Sequence, residues 1–359
     1  MITFTCEALP GRTIFGAGSI RQLGEEVDRI GSRALVISTP GQMRLSGRSI
    51  RKLGKRIAAI FNGAAMHVPR PIADQAIVQA QETGADCCIA LGGGSTVGLA
   101  KAVALELSLP ILAVPTTYAG SEATPIWGIT DEGIKTTGRD LKVLPRTVIY
   151  DPELTLSLPP GLSAVSGLNA IAHCVEALYA IDADPVTSLK AEEAIGALAT
   201  SLPVIVRSPQ DVHARATALY GAWLAGTCLG TVTMALHHKL CHTLGGSFGL
   251  PHAETHAVML PHVMAFNAPA APDSEIRVAR ALGVKDAAKG LWQLAHQLGA
   301  PVTLSELGFS AAHIDQAAAL ATAKPYPNPR PIHRADIAAL LSRAVAGWCP
   351  GWHHGATKG

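Results

Sequence analysis

The sequence predicts a two-domain protein: an N-terminal α/β domain built on a Rossmann-like parallel sheet, followed by an all-helical C-terminal domain. Three observations predict it. From about residue 14 to 151, short apolar runs alternate with helical stretches, the pattern of a parallel sheet with crossover helices. After Asp151-Pro152 the strand-like runs stop, and Ala-rich amphipathic stretches take over from Ser163 onward. The chain has 359 residues, 48% of them hydrophobic, which is more than one core usually takes up and enough to fill two.

Taken in order, the strand-like runs are Ala34-Leu35-Val36-Ile37, Cys87-Cys88-Ile89-Ala90-Leu91, Ile111-Leu112-Ala113-Val114 and Thr147-Val148-Ile149-Tyr150. Short, continuous and bounded by turn residues, they suit strands buried on both faces. A helix is expected over Ile72 to Thr83, where apolar residues recur at helical spacing. The prolines and glycine of Leu158-Pro159-Pro160-Gly161 interrupt both patterns and place the domains at 1–160 and 161–359. In the second half, helices are expected over Ala164 to Tyr179, within Met234 to Leu244, and from Pro251-His252 onward. The last ten residues, with the pair His353-His354, read as a loose solvated tail.

Composition excludes several classes. The 29 basic and 27 acidic residues leave a net charge of +2 and are scattered, without the basic stripe of a nucleic-acid binder. No apolar run approaches the roughly 20 residues that a membrane-crossing helix needs. The first residues, Met1 to Cys6, lack an export signal, and the seven cysteines lack metal-type spacing and fit a reducing compartment. A cytoplasmic location is expected, with neither a nucleic acid nor a membrane as partner.

Gly92-Gly93-Gly94-Ser95 follows a strand directly and opens a helix holding Ala100 to Val103. Residues without a β-carbon let a pyrophosphate approach backbone N–H groups at a helix start, and Ser95 can donate its hydroxyl or cap the helix. A second loop, Pro115-Thr116-Thr117-Tyr118-Ala119-Gly120-Ser121-Glu122, follows the next strand at the end where open α/β sheets bind ligands. Gly92, Gly93, Gly94, Ser95, Thr116, Thr117, Tyr118 and Ser121 are therefore the candidate cofactor residues. Thr39, after the first strand, stands where an acidic residue would select NAD over NADP. Being neutral, it predicts that both NADH and NADPH are accepted.

The helical half adds histidines at helical spacing. Asn169 and His173 lie four apart, as do His238 and His242, and His252 opens a further helix. Convergence of these faces would give a histidine-lined cleft. A lone histidine on an apolar helix is more often a core residue, and His237, His256 and His262 are read that way.

With these segments in place, the chain resembles the iron-containing alcohol dehydrogenase superfamily over nearly its whole length. The likeness rests on Gly92-Gly93-Gly94-Ser95 with Lys101, Pro115-Thr116-Thr117 with Gly120-Ser121-Glu122, Asp151-Pro152-Glu153-Leu154, Gly167-Leu168-Asn169-Ala170 with His173, His238 with His242, Pro251-His252, and Leu260-Pro261-His262-Val263. Within that superfamily the chain is most similar to maleylacetate reductases, through Gly94 to Ala102, Tyr118 to Glu122, Thr137 to Asp140 and Leu144 to Pro152. The resemblance implies the dehydroquinate synthase-like architecture and a homodimer. It also implies NADH- or NADPH-dependent reduction of maleylacetate to 3-oxoadipate, in the breakdown of resorcinol-like or chlorinated aromatics.

Asn169 is the departure that matters. In metal-dependent relatives the matching position is an aspartate, which holds the cation with histidines matching His173, His238 and His252, while the position matching His242 is assigned proton transfer. A neutral amide removes the anionic ligand, so no metal is expected to be required, and Asn169, His173, His238 and His252 form at most a degenerate metal set. The expected catalytic residues are His242, His173, His238, His252 and Asn169. Lys239, Arg139 and Arg330 are candidates for the substrate carboxylates. The alternative is an Fe- or Zn-dependent alcohol or glycerol dehydrogenase of the same superfamily.

Overall fold

The computed structural model describes residues 4–6 and 8–349, so the tail with His353-His354 lies outside the described residues. In chain order the strands are β1 (Arg12–Phe15), β2 (Ala34–Ile37), β3 (Ile57–Phe61), β4 (Cys87–Gly92), β5 (Ile111–Pro115), β6 (Ile126–Asp131), β7 (Ile134–Arg139) and β8 (Thr147–Tyr150). The helices are α1 (Leu23–Ile30), α2 (Pro40–Arg51), α3 (Arg70–Glu82), α4 (Gly94–Leu107), α5 (Pro160–Leu178), α6 (Pro185–Arg207), α7 (Val212–Thr231), α8 (Leu236–Phe248), α9 (His252–Asn267), α10 (Pro272–Leu282), α11 (Ala287–Gln297), α12 (Ile314–Thr322) and α13 (Arg334–Ala346). The chain divides into two compact units, one of Glu7–Pro159 with Ser208–Thr231, the other of Met1–Cys6, Pro160–Arg207 and Val232–Gly359.

The α/β unit carries a six-stranded sheet of order β1-β8-β5-β4-β2-β3, parallel throughout. Each residue of β2, β4, β5 and β8 is buried. Side chains alternate between the two faces, as a strand's period of two requires. Cys87, Ile89 and Leu91 join one core with Leu23, Val27 and Ile50, while Cys88 and Ala90 join the other with Val97, Ala100 and Val103. Truncating a large member such as Leu35 or Ile89 to Ala would cost about 2–5 kcal/mol. The chain reverses its direction of travel across the sheet between β2 and β4, so the loops after these neighbouring strands flank the switch point where such sheets take ligands. Ser38 Oγ, just past β2, donates to Leu91 O at 2.9 Å and ties the two strand ends together.

Two departures from the sequence pattern belong to this unit. The antiparallel hairpin β6–β7 was not expected, because β7 is mostly exposed and reads Ile-Lys-Thr-Thr-Gly-Arg, with no apolar alternation to mark it. Helix α7 packs with the sheet unit, so the expected boundary at 160/161 is crossed again by 208–231. The cause is close backbone contact: a Cβ at position 226 would lie 2.5 Å from Gly120 O, so only glycine lets α7 approach. Arg139 Nη2 donates to Gly230 O. The fully buried Arg215 donates to Leu158 O, Pro209 O and Tyr118 Oη at 2.9, 3.0 and 3.2 Å.

Among its described residues the other unit holds helices and their connecting loops and no strand. Its core gathers Leu236, Leu240 and Leu244 of α8, Val258, Met259 and Val263 of α9, and Leu340 and Leu341 of α13. The long α5 is buried along nearly its whole length, which explains why it reads as apolar on every face. Among the described residues no single helix is long and apolar enough to cross a membrane, and all seven cysteines are free.

Candidate active site

In the α/β unit, β4 runs into the glycine loop and then into α4. Gly92 has φ +145°, and a Cβ at Gly93 would lie 2.9 Å from Thr117 Cγ2, so the two candidate loops are packed against each other through the missing side chain. Gly93 itself occupies the N-cap of α4, and no side chain caps the helix. Ser95 therefore stands in the first turn and is not the cap. The first N–H groups of a 14-residue helix are left for an outside acceptor.

Thr39 caps α2, its hydroxyl accepting from Gln42 N at 3.3 Å, and Thr116 Oγ1 donates to Gln42 Oε1 at 3.4 Å. Ser121 Oγ is buried and has no partner among the described residues. Tyr118 differs from its neighbours, because it is fully buried and its hydroxyl accepts from Arg215. It supports the loop from within. These glycines, the open helix N-terminus and the orphaned Ser121 hydroxyl fit a dinucleotide pyrophosphate.

In the helical unit, α5, α8 and α9 bring the histidines together. Rings of His173 and His238 stack at 5.1 Å, His238 lies 6.1 Å from His242, and His242 stacks on His252 at 6.2 Å. His256 packs 4.5 Å from His252 and 5.0 Å from His238. Exposure is graded: His173, His237, His238 and His256 are buried, His252 is half-buried and His242 is exposed. Asn169 Oδ1, His173 Nδ1, His238 Nε2 and His256 Nε2 are buried polar atoms without a partner among the described residues. Each such group costs about 1–3 kcal/mol, so together they call for a polar ligand.

Beneath the histidines lies a carboxylate that the sequence reading missed. Glu176, fully buried on α5, accepts from His237 N at 2.7 Å, Ala235 N at 3.1 Å, His238 N at 3.4 Å and His238 Nδ1 at 2.5 Å. Three of these donors are backbone N–H groups at the start of α8, where a negative charge is stabilised. Burial works to raise its pKa, but the charge and hydrogen bond of His238, His237 and the Ala235 N–H outweigh it and hold the carboxyl below its usual range. The signal was present, since Asn169, His173 and Glu176 at i, i+4 and i+7 share one helix face.

His237 and His256 also join the cluster, correcting their assignment as isolated core residues. His237 Nε2 and His256 Nδ1 share a hydrogen bond of 2.9 Å. Burial, opposed by the Glu176 charge, pushes the His237 pKa down to about 3. Burial first, then the neighbouring imidazoles, holds His173 and His256 well below the ordinary value. His237, Cys241 and His256 offer ligand atoms within 4.8 Å of one another. A proton already links the two facing nitrogens, and burial pushes the Cys241 thiol pKa well up, while His237 Nδ1 and His256 Nε2 have no partner among the described residues. His262 shares no ring contact with the cluster among the described residues.

Of the three basic candidates, two are engaged elsewhere. Arg139 holds the end of α7, and Arg330 stacks over Phe266 at 4.1 Å while donating to Phe266 O at 3.2 Å. Lys239 follows His238 on α8 and lies 5.9 Å over the Tyr326 ring. No acidic partner meets it among the described residues. It remains the candidate for a substrate carboxylate.

Comparison with known proteins bears on both units. A family model described as iron-containing alcohol dehydrogenase matches residues 10–152, and the model of that family's C-terminal part matches residues 163–345. The chain belongs to the iron-containing alcohol dehydrogenase family. Within the family it is 57% identical over 347 residues to a maleylacetate reductase of Sphingobium indicum, covering 97% of this chain and 99% of that one. A maleylacetate reductase of Burkholderia cepacia is 54% identical, covering 98% and 100%. The crystal structure of maleylacetate reductase from Rhizobium sp. strain MTP-10005 superposes with a TM-score of 0.94 at 51% identity, covering 98% and 100% of the two chains.

Proposed function

We propose that the protein is a maleylacetate reductase that reduces the carbon–carbon double bond of maleylacetate to give 3-oxoadipate, using NADH or NADPH. The observation that carries the chemistry is the set of four polar atoms on Asn169, His173, His238 and His256 that are buried without a partner among the described residues, gathered beside one ionised carboxylate. Of these, Asn169 Oδ1 accepts, as does His238 Nε2 once Nδ1 donates to Glu176, so the donors to an oxygen that gains charge are the His173 and His256 imidazoles and the Asn169 amide nitrogen.

Nicotinamide cofactor held at the glycine loop would supply a hydride to the carbon β to the ketone, the π pair of the double bond passing to the ketone oxygen as an enolate. Imidazole N–H groups of the cluster and the Asn169 amide stabilise that oxygen, in the manner of an oxyanion hole. The enolate then takes a proton at the α carbon from His242, whose exposure lets it be reprotonated from solvent. Lys239 pairs with one substrate carboxylate.

The donor set does not suit the family's metal. Asn169 is a neutral amide, and Glu176, the carboxylate beside the cluster, is taken up by His238 and the backbone of α8. The reaction is accordingly read as metal-independent. Neutral Thr39 supports use of both cofactors, and its hydroxyl is occupied in capping α2. A cytoplasmic homodimer acting on ring-cleavage products of resorcinol-like or chlorinated aromatics fits this reading.

The test is oxidation of NADH and of NADPH on adding maleylacetate, with metal content measured on the same sample and the assay repeated with chelator. Turnover insensitive to chelator is expected. No cofactor oxidation, or turnover abolished by chelator and restored by metal, would overturn the proposal.

A further inference from the structure

Lys101, on the third turn of α4, is the least expected group in the core of the α/β unit. It is 1% exposed, and burial pushes its pKa down to about 7 despite the opposing charge of Glu122. Its ammonium is fully engaged. Nζ donates to Ser121 O at 2.7 Å, Thr124 O at 2.7 Å, Thr124 Oγ1 at 2.9 Å and Ile126 O at 2.8 Å. One cation on the glycine-loop helix thus gathers three carbonyls of the stretch that leads from the second candidate loop into β6.

The same segment is gripped from its other side. Cβ atoms at positions 226 and 230 of α7 would lie 2.5 Å from Gly120 O and 2.8 Å from Ala123 O. Carbonyls 121, 124 and 126 turn to Lys101, while 120 and 123 lie against α7. Between these grips stands Ser121, whose Oγ is buried, has no partner among the described residues and lies 4.0 Å from where a Cβ of Gly94 would be. The hydroxyl is therefore held beside the open N-terminus of α4.

From this geometry we infer that Lys101 is a positioning residue for cofactor binding, acting through the Ser121 carbonyl to hold the Ser121 hydroxyl against the cofactor pyrophosphate beside Gly94. This rests on the reading of the glycine loop as the cofactor cradle. The charge-assisted hydrogen bonds of Lys101 fix the loop before the cofactor arrives, so affinity does not have to be spent on ordering it.

A double-mutant cycle on NADH binding, read by NADH fluorescence, tests the inference. Ser121→Ala should raise the NADH Kd by about tenfold, as for loss of a hydrogen bond to a charged group, and Lys101→Met should raise it by no more than that. In the double variant, Lys101→Met should add little to Ser121→Ala, because both remove the same hydroxyl contact. KM for NADH should rise more than kcat falls. Lys101→Gln, which keeps donors for the carbonyls, is included in case the Met variant does not fold, and should lie between wild type and Ser121→Ala. Fully multiplicative effects, or an unchanged Kd in folded Lys101 variants, would overturn the inference while leaving the cradle intact. Gly94→Val separates the two: unchanged NADH affinity there would remove the cradle reading and the inference with it.

Discussion

Glu176 and His238 meet at 2.5 Å between Oε2 and Nδ1, beneath the histidine cluster. Because the carboxyl is held below its usual range, it acts as acceptor, and His238 must carry its proton on Nδ1. That fixes the ring and leaves Nε2, buried and unpartnered, for a ligand. The pair works as a carboxylate–histidine orienting unit in which the histidine's other nitrogen does the chemistry.

Glu176→Gln keeps the shape but removes the charge, and the amide can no longer accept from all four donors. The expected loss is about 10–100-fold in kcat/KM, the usual cost of an orienting partner, with a lower Tm from weakened capping of α8. Steady-state assay and thermal unfolding on one sample check this. A fall in Tm with unaltered kcat/KM would make Glu176 purely structural.

For His242 the expected signature is different. As proton donor it acts in the transition state, so His242→Ala should lower kcat by about 10²–10⁴-fold with a much smaller change in KM. Its exposure predicts little change in stability. A change confined to KM would transfer the proton to another group.

How much of this was legible in the sequence depends on how far each signal is local. β2, β4, β5 and β8 are short, doubly buried runs, and each appears where its apolar residues stand. The edge strands β1 and β3 and the hairpin β6–β7 carry exposed side chains and leave little mark. The return of α7 to the sheet unit depends on glycines meeting the Gly120 and Ala123 carbonyls across about a hundred residues, which no window along the chain can register. Asn169, His173, His238 and His242 were visible through helical spacing, and His252 through its place at a helix start. Glu176 and the His237–His256 pair escaped because their role lies in contacts between helices, where burial alone gives a core residue and a second-layer residue the same appearance.

Acid should destabilise the protein through its buried neutral imidazoles. His262, away from the cluster, is pushed from 6.5 down to about 4 by burial and then by the charge of Arg343. Between those values the unfolded chain binds a proton that the folded chain does not, so its contribution is intact above pH 6.5 and is lost as pH falls through the window. Each such histidine contributes a slope of about 1.4 kcal/mol per pH unit. Urea unfolding at several pH values should show stability falling below pH 6.5, and His262→Leu should reduce the slope by about that amount. An unchanged slope in the variant would show that other groups carry the acid response.

Asn169→Asp asks whether charge alone keeps the family's metal out. Asn169 is 5% exposed and its Oδ1 has no partner among the described residues, so an aspartate there would place a buried carboxylate where the amide oxygen now meets no donor. Unpaired, it costs stability or takes up a proton. The metal-free variant should therefore unfold at lower temperature than the wild type. A divalent ion such as Zn²⁺ would neutralise the new carboxylate and take lone pairs from nearby imidazoles, which is how a neutral-ligand site becomes a metal site. Adding Zn²⁺ should then raise the Tm of the variant far more than that of the wild type, since a ligand at a hundred times its Kd contributes about 2.7 kcal/mol. Metal retained after gel filtration should rise in parallel. If the variant is destabilised but Zn²⁺ gives no recovery, the spacing of the imidazoles excludes the ion, and the amide at position 169 is a consequence of a site already unfit for metal.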